Sequence, residues 1–339
     1  MSVRRALVLL SALSTLAGEA SAETPMSYWH TYGAAGNPIT QLGWALGAVS
    51  VVVILVISLL LLGALFRRRS VRAAGDDQLA VHREGGGMGW LYIGVGISTV
   101  VLIFCMGWTL ITSATVTHPA NTPALTVQVS ASQWWWSLRY ESEDPSRTFI
   151  TANEIHIPVG QPVRFELSSV DVIHSFWVPQ LGGKMDVIPG QTNVTWLEAD
   201  KPGVYRGQCA VFCGAQHARM AFEIIADSPK DFRDWQDDQL HDALPLSSDK
   251  TRAGRDVFQA HCAACHAIRS SDAAGLVGPD LSHLMSRRTL GAGVLLNTPG
   301  NLAAWIADPQ GIKPGAKMPD HLVSGPELAV VLEYLETLH

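Results

Sequence analysis

Cys209-Ala-Val-Phe-Cys213-Gly-Ala-Gln-His217-Ala-Arg-Met220 puts two thiols, an imidazole and a thioether on one short stretch, and His174 lies upstream as a second imidazole. Thiolate and imidazole favour soft or borderline metals, copper prominent among them. With one cysteine, His174 and Met220 would complete a mononuclear blue-copper set. The second cysteine changes that reading. Two thiolates can bridge two coppers, and His174 and His217 can then each give one copper a terminal ligand. Met220 can be a weak axial ligand to one copper, and a backbone carbonyl between the cysteines can serve the other. Charge shared over two metals and soft sulfurs needs little rearrangement on reduction, which suits one-electron transfer. A structural zinc site is the rival, but its usual finger spacing is absent and Met is a poor zinc ligand.

A second cluster reads Cys262-Ala-Ala-Cys265-His266, followed by Lys317-Met318-Pro319. Cys-x-x-Cys-His is the attachment signature of c-type haem. Cys262 and Cys265 would form thioethers with the haem vinyls, and His266 would ligate the iron. Met318 is the candidate for the opposite axial position, where a neutral thioether raises the potential. Met285, the other methionine of this segment, sits in a run that reads as helix and is assigned to packing. A thioredoxin-like redox pair, or two short-range disulfides, would leave His266, Met318 and the first cluster's His and Met residues unexplained. The fifth cysteine, Cys105, lies in an apolar run and reads as a small hydrophobe. Both clusters carry electrons one at a time, and neither offers a place for a substrate to react.

The elements that must position these clusters are legible in the rest of the chain. Its 339 residues are 47% hydrophobic, high for a soluble protein, and a net charge of −6 argues against nucleic acid as a partner. Arg4-Arg5, an apolar run from Ala6 and Ala20-Ser21-Ala22 have the layout of a signal peptide over 1–22, with cleavage expected after Ala22. Within 23–116, uncharged runs at about 42–66 and 90–112 are long enough to span a membrane. Trp44 and Trp90 stand where interfacial aromatics belong. Arg67-Arg68-Arg69 and Arg72 between the runs hold that loop in the cytoplasm, so both ends of the hairpin, and both metal-binding segments, face outward. Residues 117–226 alternate in β-branched runs between Pro/Gly turns and predict a β-sandwich. Residues 227–250 are charged and polar and read as a linker. Residues 251–339 read as a small all-α domain. His156, His241, His261, His283, His321 and His339 belong to no cluster and are assigned to surface or capping positions.

From Gln133-Trp134-Trp135-Trp136 through Met220 the chain resembles subunit II of haem–copper cytochrome c oxidases. The likeness rests on His174-Ser-Phe-Trp-Val-Pro179, Gly183-Lys-Met-Asp-Val-Ile-Pro-Gly190, Pro202-Gly-Val-Tyr205 and Gly207-Gln-Cys209, behind a two-helix hairpin. It implies a cupredoxin-like domain holding a dicopper CuA centre. His174 and Met220 would serve one copper and His217 and the Val211 carbonyl the other, with Cys209 and Cys213 bridging. The family usually has Glu at Val211. Only the carbonyl meets copper, so Val is compatible; the family's Glu side chain also binds magnesium beside subunit I, and the Val211 side chain offers that site no ligand. Quinol-oxidising relatives lack the copper ligands, which this chain retains. Trp134 matches the exposed residue at which an electron arrives from cytochrome c. The competing reading packs all three tryptophans in a core or at the membrane interface. Strand alternation sends Trp134 and Trp136 to one face and Trp135 to the other.

Gly278-Pro279-Asp-Leu281 and Lys313-Pro-Gly315 resemble the class I cytochrome c loops that support the proximal His and the Met ligand, a likeness running from Gly254 to Leu338. Together the two resemblances describe a caa-type oxidase subunit II, with cytochrome c fused at the C-terminus and one covalent haem c. That implies a bacterial cell membrane location with both termini outside, and packing against subunit I and subunit III. Subunit I would reduce oxygen to water with proton pumping. The electron donor would be a soluble or membrane-bound cytochrome c, or another carrier. Glu84 lies near a family Glu at the mouth of a proton route, against the plainer reading of a solvated charge. Two alternatives stand: the electron-input subunit of a CuA-containing nitric oxide reductase, and a free-standing membrane-anchored electron carrier or copper-delivery protein.

Overall fold

The computed structural model of the chain describes residues 25–66, 87–242 and 248–339. Residues 1–24, which include the expected signal peptide, residues 67–86 with Glu84, and residues 243–247 lie outside the described residues. Two long helices come first, α1 (Asn37–Phe66) and α2 (Gly87–Thr117). At 30 and 31 residues each is about 45 Å long, more than a hydrocarbon layer of about 30 Å requires. Both are apolar on every face, and their leucines and valines are left bare, Leu59 at 67% and Leu102 at 67% exposure. A helix hydrophobic all round must be covered by lipid or by other protein.

The sandwich sits on the start of α1 and the end of α2. Trp196 Nε1 donates to the Val116 carbonyl at 3.0 Å, and Asn37 Nδ2 donates to Asp200 Oδ2 at 2.8 Å. Ten strands follow in chain order: β1 (Leu125–Ser132), β2 (Trp135–Tyr140), β3 (Phe149–Ala152), β4 (Glu154–Pro158), β5 (Val163–Ser169), β6 (His174–Trp177), β7 (Met185–Val187), β8 (Asn193–Leu197), β9 (Gly203–Cys209) and β10 (Ala221–Asp227). They form two five-stranded sheets, ordered β3-β2-β1-β5-β8 and β4-β10-β9-β6-β7. The fold is a cupredoxin-like β-sandwich. Alternation decides what faces in: on β5, Val163, Phe165, Leu167 and Ser169 are buried while the residues between are not. Trp136, Phe165, Phe176 and Phe222 fill the space between the sheets, with Phe176 and Phe222 stacked at 4.5 Å. Each such ring is worth about 1.5–3 kcal/mol of burial. On β2 Trp136 is buried and Trp135 only half-buried, as alternation requires, whereas Trp134 is buried in the turn that precedes the strand.

Part of the expected linker is a helix. Ser228 caps α3 (Pro229–Asp238) through Asp231 N, Phe232 joins the sandwich core, and Trp235 stacks on His156 at 4.1 Å. The charged composition hid a two-residue apolar stripe, Phe232 and Trp235, at helical spacing. The C-terminal domain packs α4 (Asp249–His261) against α7 (Gly325–Leu335), with a two-residue ladder β11 (Thr289–Leu290) and β12 (Leu295–Leu296), then α5 (Pro299–Ala307) and α6 (Pro309–Ile312), between them in sequence. Capping boxes at Ser248/Thr251 and Ser324/Glu327 start the two main helices. Phe258, Val331, Tyr334 and Leu335 form their shared core.

Met285 lies in a turn rather than a helix, packed on that core. His283 is not a surface residue: it is buried between the carbonyls of His339 at 2.7 Å and Gln239 at 3.2 Å. His156 is likewise engaged, its Nδ1 2.6 Å from Asp227 Oδ2.

Candidate metal centres

The first cluster closes because β9 and β6 are paired neighbours. Phe176 lies opposite Cys209, which sets Cys209 beside His174 at the far end of β6. Beyond Cys209 the chain loops through a single 3₁₀ turn, His217–Arg219, and Met220 returns to accept Cys209 N–H at 3.0 Å. The donors converge. Cys209 Sγ lies 3.7 Å from Cys213 Sγ, 3.9 Å from His174 Nδ1 and 3.2 Å from the Val211 carbonyl. Cys213 Sγ lies 3.6 Å from His217 Nδ1 and 3.8 Å from Met220 Sδ. His174, Cys209 and Cys213 are buried and form a metal-competent group among the described residues. Two sulfurs, two imidazoles, a thioether and a carbonyl fit two soft ions bridged by sulfur.

Asp171 orients this site and was not singled out in the sequence, although it stands one short loop before His174. Its Oδ1 accepts from His174 Nε2 at 2.9 Å, which leaves Nδ1 for metal. Burial would raise the Asp171 carboxyl, but hydrogen bonds from His174, Gln133 N and Val172 N outweigh it and hold the group ionised. The two thiols cannot both ionise at this separation. The hydrogen bond from Cys213, aided by His174, holds Cys209 down to about 3, and the resulting thiolate, with burial, pushes Cys213 up.

In the second cluster, Cys262, Cys265, His266 and Met318 line one cavity of about 240 Å³. Leu281, Leu284, Leu302 and Ile306 make its walls apolar. His266 Nδ1 donates to the Pro279 carbonyl at 2.7 Å, leaving Nε2 for iron. Burial lowers His266, so it stays neutral, and raises the Cys262 thiol to about 11. A Cβ on Gly278 would stand 2.5 Å from His266 Cε1, so only glycine fits against the ring. Gln310 Nε2 holds the Met318 loop through the carbonyls of Ala316 at 2.6 Å and Met318 at 2.8 Å. Two thiols, one presented imidazole and a thioether around an apolar cavity suit a covalently attached haem.

The two sites are built against each other, which the sequence did not show. Trp134 is 9% exposed, not the open surface residue that the resemblance implied. Its indole Nε1 donates to the Cys213 carbonyl at 3.1 Å, and the same residue lines the second cavity. The Met318 loop covers it. Gln216 Nε2 donates to Pro314 O at 2.8 Å, Arg219 donates to Ile312 O, and Lys317 Nζ lies 3.6 Å from Asp171 Oδ2. Nearer the sandwich edge, Glu154 Oε1 accepts Arg288 N at 2.5 Å and Thr289 N at 3.0 Å.

Residues 141–227 match the family of the cytochrome c oxidase subunit II periplasmic domain, and residues 251–339 match the cytochrome c family. Cytochrome c oxidase subunit 2 of Alkalihalophilus pseudofirmus is 40% identical over 62% of this chain and 60% of its own length. The Bacillus subtilis protein of that name is 34% identical over 63% of this chain and 62% of its own. The chain thus spans about three fifths of the length of these relatives. The solved periplasmic domain of subunit II from Bradyrhizobium japonicum is 32% identical, over 36% of this chain and 96% of that one, with a TM-score of 0.33.

Proposed function

We propose, from the match of residues 141–227 to the cytochrome c oxidase subunit II periplasmic domain and of residues 251–339 to cytochrome c, that this chain is the electron-input subunit of a terminal respiratory oxidase. The observation that carries the reading is the contact of its two sites. The loop bearing Met318 lies on Trp134, and Trp134 bonds the carbonyl of Cys213. When bound, a c-type haem and a dicopper CuA centre would supply two one-electron carriers.

The chain's own residues do the rest. Cys262 and Cys265 would hold the haem covalently, and His266 and Met318 would supply donors for its iron. His174, Cys209, Cys213, His217, Met220 and the Val211 carbonyl would hold the copper. Asp171 and Pro279 hold the two inner imidazoles in the tautomer that points a bare nitrogen at the metal. Trp134 is the bridge between the sites, reached from the fused domain rather than from an outside carrier. An external donor, a cytochrome c or another carrier, therefore meets the haem domain first.

In this reading α1 and α2 cross the bacterial cell membrane and pack on subunit I, with subunit III in the same complex and both metal domains on the outer face. The bare apolar helices support that placement. The basic loop 67–72 supports its orientation. Oxygen is reduced, and protons pumped, in subunit I. Val211 favours one second reading, the input subunit of a CuA-containing nitric oxide reductase, which the companion subunit that co-purifies would distinguish.

The test is intramolecular transfer in the full chain, reconstituted with haem and copper. After an electron is injected into the haem domain by flash photolysis, haem oxidation and copper reduction should proceed with one shared rate constant, independent of protein concentration. A haem that stays reduced beside oxidised copper contradicts the reading.

A further inference from the structure

Lys313 is 3% exposed and lies at the contact between the two metal sites. Its Nζ donates to the Trp134 carbonyl at 2.8 Å, in the copper domain, and to the Gly291 carbonyl at 2.7 Å, in its own. No carboxylate pairs with it among the described residues. A long cationic side chain buried without a counter-ion is costly, and a methionine would fill the same space at no such cost. The amine does what methionine cannot: it satisfies two carbonyls that the closed contact removes from water.

We propose that Lys313 is a positioning residue for transfer between the two centres, acting through its hydrogen bonds to hold Trp134 in register between the haem cavity and the Cys213 carbonyl. Trp134 is then fixed at three points. Its Nε1 is bonded to Cys213 O, its carbonyl is bonded to Lys313, and Gly315 of the Met318 loop lies against its ring, where a Cβ would come 3.5 Å from Cη2. Without Lys313 the Trp134 carbonyl has no donor from the opposing domain, and the indole loses the tie on its haem side.

The charge itself is not required. Burial, with the nearby Arg219 charge, lowers the Lys313 amine to about 7. A neutral amine still has two N–H groups, enough for both carbonyls. Lys317, paired with Asp171, and Arg287 line the same cavity, and Glu154 stands at the sandwich edge of the domain contact.

This inference rests on the proposed electron path, and one set of variants separates the two. Lys313→Met keeps the volume and removes the donors, and Lys313→Arg keeps donors that never deprotonate. In the full chain with haem and copper, K313M should slow haem-to-copper transfer at least tenfold, and K313R should restore most of the rate. In the copper-free chain, hydrogen–deuterium exchange should show faster exchange in K313M over 133–137, with the Arg288 and Thr289 amides protected as before. Wild type and K313R should show the same rate profile through pH 7, since Glu154 titrates in both. Equal rates in K313M and wild type overturn the inference. So does protection lost at Arg288 and Thr289 too, which makes Lys313 a general docking contact. A wild-type rate that titrates near pH 7 while K313R does not would show that charge is the agent, and overturn it likewise. If the wild type itself transfers no electron, the proposed function fails instead.

Discussion

Glu154 gives the domain contact a pH dependence whose size follows from the structure. The side chain is 4% exposed, and one oxygen, Oε1, accepts both Arg288 N and Thr289 N. Burial raises its carboxyl from 4.5 to about 7, aided by Glu223 and opposed by those two N–H groups and the Arg287 charge. A raised carboxyl means that the folded protein holds this proton more tightly than the unfolded chain. Its contribution is complete below about 4.5 and is lost as pH rises through 7. At about 1.4 kcal/mol per pH unit the loss is about 3 kcal/mol. Glu154→Gln removes the charge and keeps both hydrogen bonds, because a single amide oxygen can take the place of Oε1. Urea unfolding of the full haem-bearing chain, followed at the haem absorption, should therefore give similar stability for both proteins near pH 4.5. By pH 8, E154Q should be the more stable by about 3 kcal/mol. Taking the difference between the proteins cancels every other titrating group. Glu154→Leu should lose about 1–3 kcal/mol per orphaned N–H at every pH. A difference between E154Q and wild type that stays constant from pH 4.5 to 8 would refute the reasoning.

Two further substitutions probe the ligand supports. Asp171→Asn weakens the acceptor that fixes His174 and unpairs Lys317, and copper affinity by chelator competition should fall about 10- to 100-fold; unchanged affinity would remove Asp171 from the site. Gly278→Ala drives a methyl into the His266 ring, so the haem should lose its low-spin His–Met spectrum, and an intact spectrum would show that the loop can yield.

Both ligand clusters, the two apolar helices and the sandwich were legible in the sequence because each rests on local signals: close ligand spacing, long uncharged runs and period-two alternation. What escaped depends on contacts between distant positions. Lys313 meets Trp134 across 179 residues, and Glu154 meets Thr289 across 135. Nothing in Ile312-Lys313-Pro314 marks the lysine as buried, since its burial comes from the opposing domain. Trp134 carried two readings for the same reason: whether it lies open or packed depends on how the second domain docks, and here it is covered. Helix α3 was different, because Ser228, Pro229 and Asp231 spell an N-terminal cap that the charged composition obscured.

In the proposed function Cys209 and Cys213 would join two coppers into one electron carrier beside a haem, and electron paramagnetic resonance of the full chain, copper-loaded and oxidised, reads this out. Two equivalent copper nuclei sharing one unpaired electron give a seven-line hyperfine pattern, which should vanish in Cys209→Ser while the haem spectrum persists. A four-line pattern from a single copper, or no copper signal beside an intact haem, would contradict it.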